Sequence, residues 1–181
     1  MSVTAADWVA SCTTRTPDFP VPGVLFRDLS PLFAEPEGFR SVVDALAAPF
    51  EGRFDAVAGA EARGFLFAAA LGYGRGIPVL ILRKPGKLPP PVLRERYDLE
   101  YGSAELQVRE GLPSGFRVLL VDDVLATGGT FSAGARLLEA AGNTVVGGSV
   151  VLELSDLGGR AALPGFEVAA IVTESDGHPA G

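Results

Sequence analysis

The stretch that decides the fold is "RVLLVDDVLATGGTFSAGARLLEA", residues 117–140. A run of apolar residues leads directly into two adjacent acids, Asp122 and Asp123, and a Thr-Gly-Gly-Thr turn follows before a helix-like pattern begins. The pattern predicts a buried strand over 117–121 and a helix over about 130–141. In α/β proteins ligands bind outside the carboxyl ends of parallel strands, so the two acids are expected at a binding site.

Apolar runs and helical patterns alternate along the rest of the chain. We predict strands over 54–60, 77–83, 144–154 and 166–172, and helices over 36–50 and 62–74. Continuous apolar strands that alternate with helices indicate an α/β fold with a doubly wound, mostly parallel sheet covered on both faces. The length of 181 residues fits one domain, residues 1–181, with a sizeable core.

Two segments interrupt this alternation. Residues 18–33 hold three prolines among alternating aromatic and polar residues, and we predict ordered irregular structure there. Residues 84–102 hold four prolines and both lysines of the chain. A long loop inside a compact domain is usually a lid or a binding loop, and the prolines at 89–91 are expected to stiffen its stem. Near the amino end, Trp8 and Cys12 predict a helix that packs on the domain or across a dimer.

The composition excludes several classes of function. The formal net charge of −7, from 15 basic and 22 acidic residues, argues against a general nucleic-acid-binding face. The longest uncharged run, 140–152, has 13 residues, some of them polar, and so is too short to span a membrane. The amino end lacks the basic and apolar regions of a secretory signal. The single cysteine, Cys12, fits a reducing, cytoplasmic location.

The turn after the acids has the features of a phosphate-binding site. Backbone N–H groups at a helix N-terminus lack partners within the helix and carry partial positive charge, so they bind phosphate. Gly128 and Gly129 allow the backbone to approach an anion closely. Thr127 and Thr130 add hydroxyl donors, and one of them could also cap the helix. We therefore expect a phosphate on residues 126–130.

The acids suit a different part of the same ligand. An ionised carboxylate only accepts hydrogen bonds, and a sugar hydroxyl can donate one, so Asp122 and Asp123 fit the vicinal hydroxyls of a ribose. They would also favour positive charge that develops on the sugar ring in a transition state. The sequence thus predicts a ribose 5-phosphate site. The alternative is a plain solvated loop with a helix cap.

Several motifs resemble one known family. The stretch "VLLVDDVLATGGT" (118–130) resembles the 5-phosphoribosyl pyrophosphate (PRPP) motif of the type I phosphoribosyltransferases. Four further stretches are similar to the adenine phosphoribosyltransferases, in the same order and spacing: "DFPVPGVLFRDLSPLF" (18–33), "EARGFLF" (61–67), "RKPGKLP" (83–89) and "YDLEYG" (97–102). The resemblance covers about residues 16–160.

This resemblance implies a fold, a reaction and a set of partners. The fold would be the type I phosphoribosyltransferase fold, with a small N-terminal hood over about 1–35 and a flexible lid loop over about 84–102. The reaction would join adenine and PRPP to give AMP and pyrophosphate in purine salvage. Mg²⁺ would be bound mainly through PRPP and water rather than by protein ligands. The enzyme would be a cytoplasmic homodimer that binds neither nucleic acid nor membrane.

The resemblance also assigns PRPP contacts to particular residues. Asp122 and Asp123 would hold the ribose hydroxyls. The 5′-phosphate would lie on Ala126, Thr127, Gly128, Gly129 and Thr130. The remaining PRPP contacts would come from Arg63, Arg83, Lys84, Lys87 and Tyr101. Arg83 is expected to act on the neighbouring subunit's site. The alternatives are a water-facing arginine at a helix start for Arg63 and a solvated basic loop for the lid residues.

The same resemblance assigns the binding of adenine and the removal of its proton to other residues. Glu100 would be the acid/base group near the purine imidazole nitrogens, because a proton must leave adenine when N9 attacks; the alternative is a charge at a strand end. Leu25, Phe26 and Leu154 match positions that sandwich adenine, and Leu25 and Arg27 would recognise it mainly through backbone groups.

The sequence departs from the family directly before the predicted helix over 62–74. Glu61 stands where the family carries an aspartate, directly before the stretch that holds Arg63.

Two competing functions are weaker on sequence grounds. Oxopurine-specific transferases usually place a lysine after the PRPP turn, and this chain has no lysine beyond Lys87. A PRPP-sensing regulator would need a DNA-binding domain, for which the chain has neither the length nor the basic face.

Overall fold

A computed structural model describes residues 3–99 and 102–175. Its strands are β1 (Thr14–Thr16), β2 (Phe26–Asp28), β3 (Ala56–Ala60), β4 (Val79–Leu82), β5 (Val92–Leu99), β6 (Gly102–Arg109), β7 (Arg117–Leu125), β8 (Thr144–Leu154) and β9 (Val168–Glu174). Its α-helices are α1 (Ala5–Cys12), α2 (Ser30–Phe33), α3 (Pro36–Ala47), α4 (Gly64–Arg75) and α5 (Gly129–Ala140). None of the helices in these described residues is long and apolar enough to cross a membrane.

The centre of the fold is a five-stranded parallel sheet in the order β4-β3-β7-β8-β9. The central strands are buried throughout or nearly so, because helices cover both faces. One apolar cluster includes Phe131 and Leu138 of α5, and the other includes Val42 of α3 and Phe67 of α4. The predicted doubly wound α/β fold is confirmed.

The strand that carries the two acids is longer than predicted. It continues to Leu125 rather than ending at residue 121, since its pairing with β8 extends to the pair Leu125 and Glu153. Asp122 and Asp123 therefore lie on the last part of a paired strand and not in the loop after it. Their backbone is fixed by the sheet, so the two carboxyl groups have defined directions.

The segment 84–102, predicted to be a lid loop, is not irregular throughout, and its role as a lid stays a prediction. Residues 92–99 form β5, which pairs antiparallel with β6 from Val92 opposite Arg109 to Leu99 opposite Gly102. Leu93 and Tyr97 pack against the apolar cluster that includes α5. Side chains of a strand alternate between its two faces, so Leu93 and Tyr97, which are four residues apart, lie on the same face of β5. Two backbone hydrogen bonds between Arg83 and Gln107, of 2.7 and 2.8 Å, join the hairpin to the end of β4.

The expectation of irregular structure over 18–33 is also only partly right. Residues 26–28 form β2, which pairs antiparallel with β1, and residues 30–33 form the short helix α2. The predicted N-terminal helix is present as α1, and it packs on α3, where a Cβ built on Gly38 would lie 3.0 Å from the Trp8 ring. The elements α1, β1, β2 and α2 lie beside the sheet, in the part of the chain where the hood is predicted, and we call them the hood.

A glycine in β8 fixes the position of α5. A Cβ built on Gly148 would lie 2.4 Å from Cε1 of Phe131, a distance that real Cβ atoms do not show. Gly148→Ala should destabilise the fold by about 1–3 kcal/mol, because overpacking a dense core forces neighbouring groups to shift. Chemical denaturation monitored by circular dichroism would measure the free energy of unfolding.

The matched control is Gly74→Ala on α4, where a Cβ meets nothing within 4 Å. This change should stabilise the helix by up to about 1 kcal/mol. Equal effects of the two substitutions would contradict the packing argument.

Candidate active site

The turn between β7 and α5 has the backbone geometry expected of the predicted phosphate cradle. Gly128 has φ +84°, the left-handed region that favours glycine, and α5 starts at the next residue. The first helical hydrogen bond runs from Ser132 N to Gly128 O at 2.9 Å, so the earlier N–H groups face the turn. A cavity of about 110 Å³ is lined by residues 124–131. The predicted threonine cap is not formed, because Gly128 occupies the capping position.

A second loop, residues 158–160, packs against the backbone of this turn. A Cβ built on Gly159 would lie 2.1 Å from the Ala126 carbonyl oxygen, and one on Gly128 would lie 2.6 Å from the Gly159 carbonyl oxygen. Only glycine allows the two backbones to approach this closely. Arg160 holds the loop, since its guanidinium donates to the Glu153 carboxylate at 2.6 and 3.0 Å. Sequence reasoning missed this loop; the adjacent glycines 158–159 after β8 were the available signal.

The acid pair lies against the start of α4. A Cβ built on Gly64 would lie 2.9 Å from Oδ1 of Asp122, and the same oxygen accepts a 2.9 Å hydrogen bond from the Asp123 backbone N–H. Burial raises the pKa of the Asp122 carboxyl well above its usual range, and the neighbouring charge of Asp123 raises it further. The strand end therefore holds a carboxyl group whose ionised form is costly in the absence of a ligand.

Arg63 connects the acids to the hood. Its Nε lies 2.9 Å from Oδ2 of Asp123, an ion pair whose angle does not make a hydrogen bond, so this buried oxygen has no hydrogen-bond donor among the described residues. The guanidinium also lies 5.7 Å from the centre of the Phe26 ring, and Nη1 donates to the Arg27 carbonyl at 3.4 Å. The alternative of an arginine that only faces water does not describe this geometry.

Glu61 organises the basic residues that follow β4. Its Oε2 accepts a 2.8 Å hydrogen bond from the Lys84 backbone N–H and a 3.0 Å hydrogen bond from Arg83 Nε. These groups, led by the Lys84 amide, lower the pKa of the Glu61 carboxyl despite the opposing effect of burial. Arg83 also lies 5.5 Å from the centre of the Phe65 ring. Glu61, which stands where the family carries an aspartate, is therefore the hydrogen-bond acceptor that positions Arg83 and Lys84. Sequence reasoning missed this role.

The two lid lysines differ from Arg83 in their surroundings. Lys84 and Lys87 are exposed. Lys84 lines a cavity of about 570 Å³ together with Arg96, Tyr97 and Glu105 of the hairpin. Glu100 and Tyr101 lie outside the described residues, so their predicted roles stay predictions.

The predicted adenine-binding residues come from two parts of the chain that meet. Phe26 packs edge-on against Phe19, with ring centres 5.0 Å apart. Arg27 is buried, and its Nε donates to Glu174 at the end of β9. Leu154 ends β8 directly opposite Glu174 in the sheet register. The hood and the carboxyl edge of the sheet are thus joined at this point.

A parallel sheet that carries an acid pair and a glycine turn at the end of one strand defines an α/β protein with a ligand site at the carboxyl edge of the sheet. The family described as phosphoribosyl transferase domain matches residues 39–156. This range includes Arg63, the acid pair and the whole of the phosphate cradle.

The chain belongs, more narrowly, to the adenine phosphoribosyltransferases. It is 59% identical over 170 residues to the adenine phosphoribosyltransferase of Clavibacter sepedonicus, covering 93% of this chain and 88% of the relative. The crystal structure of the enzyme from Thermoanaerobacter pseudethanolicus superimposes with a TM-score of 0.89 at 38% identity, covering 93% of this chain and 99% of that one. The Saccharomyces cerevisiae enzyme, solved with an imino-altritol bisphosphate and adenine, gives 0.85 at 34% identity, with 93% and 98% covered.

The raised pKa of Asp122 leads to a prediction about stability and pH. The unfolded carboxyl ionises near its ordinary pKa of 3.8 and the folded one at higher pH, so the folded state holds the proton more tightly. Stability is therefore lost as the pH rises through the folded pKa. Asp122→Asn removes this loss while it keeps the oxygen that accepts from Asp123 N–H. Its melting temperature should exceed that of the wild type at about pH 8 and approach it at about pH 4.

Differential scanning fluorimetry across this range would measure the effect. Asp44→Asn on the exposed face of α3 makes the same change of charge and is the control. A melting temperature of Asp122→Asn below that of the wild type at about pH 8 would contradict the argument.

Proposed function

We propose that the protein transfers the 5-phosphoribosyl group of PRPP to N9 of adenine, giving AMP and pyrophosphate in purine salvage. The observation that carries this proposal is the acid pair followed by the glycine cradle on one strand end, in a chain 59% identical to a named adenine phosphoribosyltransferase. The other features of the site are consistent with this reaction and extend it to individual residues.

The cradle and the acids bind the phosphoribosyl part. The 5′-phosphate lies on the turn Ala126–Thr130, where backbone N–H groups and the hydroxyls of two threonines can donate to it. Asp123 Oδ2 is a buried acceptor without a hydrogen bond among the described residues, which suits a ribose hydroxyl. Arg63 lies against this oxygen, so its side chain must shift when the sugar enters. The pyrophosphate group is the anion toward which it would move.

The leaving pyrophosphate is bound by a set of mostly cationic side chains, namely Arg63, Arg83, Lys84, Lys87 and Tyr101. Fixed cations stabilise the negative charge that builds up as the bond to C1 breaks. Arg83 is held by Glu61 at 3.0 Å, so its position is set before the substrate arrives. Glu100 accepts the proton that adenine loses when N9 attacks.

The adenine ring is held between Leu25, Phe26 and Leu154. An aromatic and two aliphatic side chains form a flat apolar slot, and the backbone groups of Leu25 and Arg27 supply the polar contacts. Backbone groups recognise a base by the direction of its donors and acceptors. The contribution of these backbone groups to base recognition therefore depends on how rigidly residues 25–27 are positioned.

Mg²⁺ would be bound by PRPP and water, with the protein in a secondary role. Among the described residues no group of three or more His, Cys, Asp or Glu side chains could hold a metal ion. Mg²⁺ commonly keeps several waters and takes its other ligands from phosphate oxygens. Asp122 and Asp123 fit such a hydrated ion as acceptors of water hydrogen bonds. The ion would neutralise charge on the leaving group.

The enzyme would act as a homodimer in the cytoplasm. The outer surface of α4 and the edge strand β4 expose large apolar side chains, namely Leu66, Tyr73, Val79 and Ile81. Tyr73 is 92% exposed, and a second copy of the chain would cover such a patch. Arg83 follows β4 directly, so a dimer through this face would bring it near the neighbouring site. The single, half-buried Cys12 fits a reducing compartment.

Base specificity gives the direct test of the proposed reaction. The purified protein with PRPP and Mg²⁺ should form AMP from adenine and little or no nucleotide from hypoxanthine, guanine or xanthine. Chromatographic separation of the products would measure each reaction. Nucleotide formation from an oxopurine but not from adenine would overturn the proposal, and no reaction with any base would favour a regulatory role.

The acid pair gives a second test. Asp123→Asn should lower kcat/KM for PRPP by about 100-fold or more, because the acid acts on charge that develops in the transition state. Steady-state kinetics with varied PRPP would measure the loss. Asp44→Asn is the control for an exposed acid, and activity near wild type in Asp123→Asn would refute the role of the acid.

A further inference from the structure

One carboxylate joins both sides of the proposed adenine slot. Glu174 is the last residue of β9 and stands opposite Leu154, the last residue of β8, in the sheet register. Its Oε2 accepts a 2.9 Å hydrogen bond from Nε of Arg27, and its Oε1 pairs with Arg15. At the end of β9 this side chain therefore ties the carboxyl edge of the sheet to the hood, in addition to the contact that Arg63 makes between Asp123 and Arg27.

On the hood side, the bond reaches the backbone that is expected to recognise adenine. The Arg27 side chain is only 4% exposed, and its Nη1 donates to the Leu25 carbonyl at 2.8 Å. The guanidinium thus connects Glu174 to the segment 25–27. Since a buried arginine needs a carboxylate partner, this connection restricts the segment to a narrow range of positions.

On the sheet side, Glu174 is held in two further ways. Its backbone belongs to the β8–β9 ladder beside Leu154. Its carbonyl oxygen accepts a 3.1 Å hydrogen bond from the hydroxyl of Ser155, the residue after Leu154. Burial alone would raise the pKa of the Glu174 carboxyl, but the hydrogen bonds and charges of Arg27 and Arg15 together outweigh it, so the pKa is lowered. The carboxylate is ionised, fixed and directed at the hood.

We propose that Glu174 is a positioning residue that sets the separation between the backbone of 25–27 and the Leu154 side chain, and so determines the affinity for the base. This inference rests on the proposed function, because it takes these residues to be the adenine slot. Glu174 does not touch the reacting atoms. Its effect passes through Arg27, and it should act on base binding without acting on PRPP binding.

The test compares matched glutamate-to-glutamine variants. Glu174→Gln keeps the shape of the side chain but removes the negative charge from its contact with Arg27. Glu167→Gln is the control, since Glu167 also pairs with an arginine, Arg53 at 2.7 Å, but lies before β9 at the opposite end of the sheet. In Glu174→Gln the KM for adenine should rise about 5- to 20-fold, as misplaced binding groups remote from the chemistry lose affinity. The KM for PRPP should stay within about twofold and kcat should change little. Glu167→Gln should leave all three unchanged.

Other outcomes decide against the inference. An unchanged KM for adenine in Glu174→Gln would overturn it, and so would an equal rise in the KM values of both substrates, which a merely structural tie predicts. If Glu174→Gln does not fold, Glu174→Asp retains the charge but moves it by one methylene. It should raise the KM for adenine selectively, and an unselective effect would contradict the proposal. Absence of AMP formation by the wild type would overturn the proposed function itself, whereas normal wild-type kinetics with unselective variants would overturn only the role of Glu174.

Discussion

The close contact between three backbones at the carboxyl edge of the sheet is the constraint on which the site depends. A Cβ on Gly59 of β3 would lie 2.4 Å from the Gly64 carbonyl oxygen, and a Cβ on Gly64 would lie 3.1 Å from the Val121 carbonyl oxygen of β7. Because neither position has a side chain, the start of α4 can lie directly on the ends of β3 and β7. Arg63 precedes α4, so this contact places its guanidinium beside Asp123. A larger residue at either glycine would separate the cation from the acids.

The site also holds groups that are unfavourable for the fold alone. Two adjacent acids lie at the end of a buried strand, and the pKa of Asp122 is raised by burial and by its neighbour. One oxygen of Asp123 is buried without a hydrogen bond among the described residues. Groups of this kind cluster at functional sites, where a ligand supplies the missing partners. The apolar clusters on both faces of the sheet stabilise the fold and offset the cost of these polar groups.

The sequence predicted the parallel sheet because its strands are continuous apolar runs, and it predicted the cradle because glycines and acids occur together after β7. It did not predict the β5–β6 hairpin. Four prolines and several charges in 84–102 concealed the two-residue period that places Leu93, Glu95 and Tyr97 on one face of β5. Glu174 and Gly159 were missed for a different reason. Their neighbours in space, Arg27 and Ala126, are far away in sequence. Nothing local distinguishes Glu174 from an ordinary surface acid, and the adjacent glycines 158–159 indicate a turn but not which backbone it contacts.

The attachment of the hairpin has a mechanical consequence. Arg83 and Gln107 exchange two backbone hydrogen bonds, of 2.7 and 2.8 Å, while the Arg83 side chain is held by Glu61. Arg83 is thus the pivot at which the hairpin meets the end of β4. A displacement of the hairpin relative to the sheet would therefore move the Arg83 backbone and strain the hydrogen bond that holds its side chain on Glu61. The position of the hairpin and the direction of this cation are coupled through one residue.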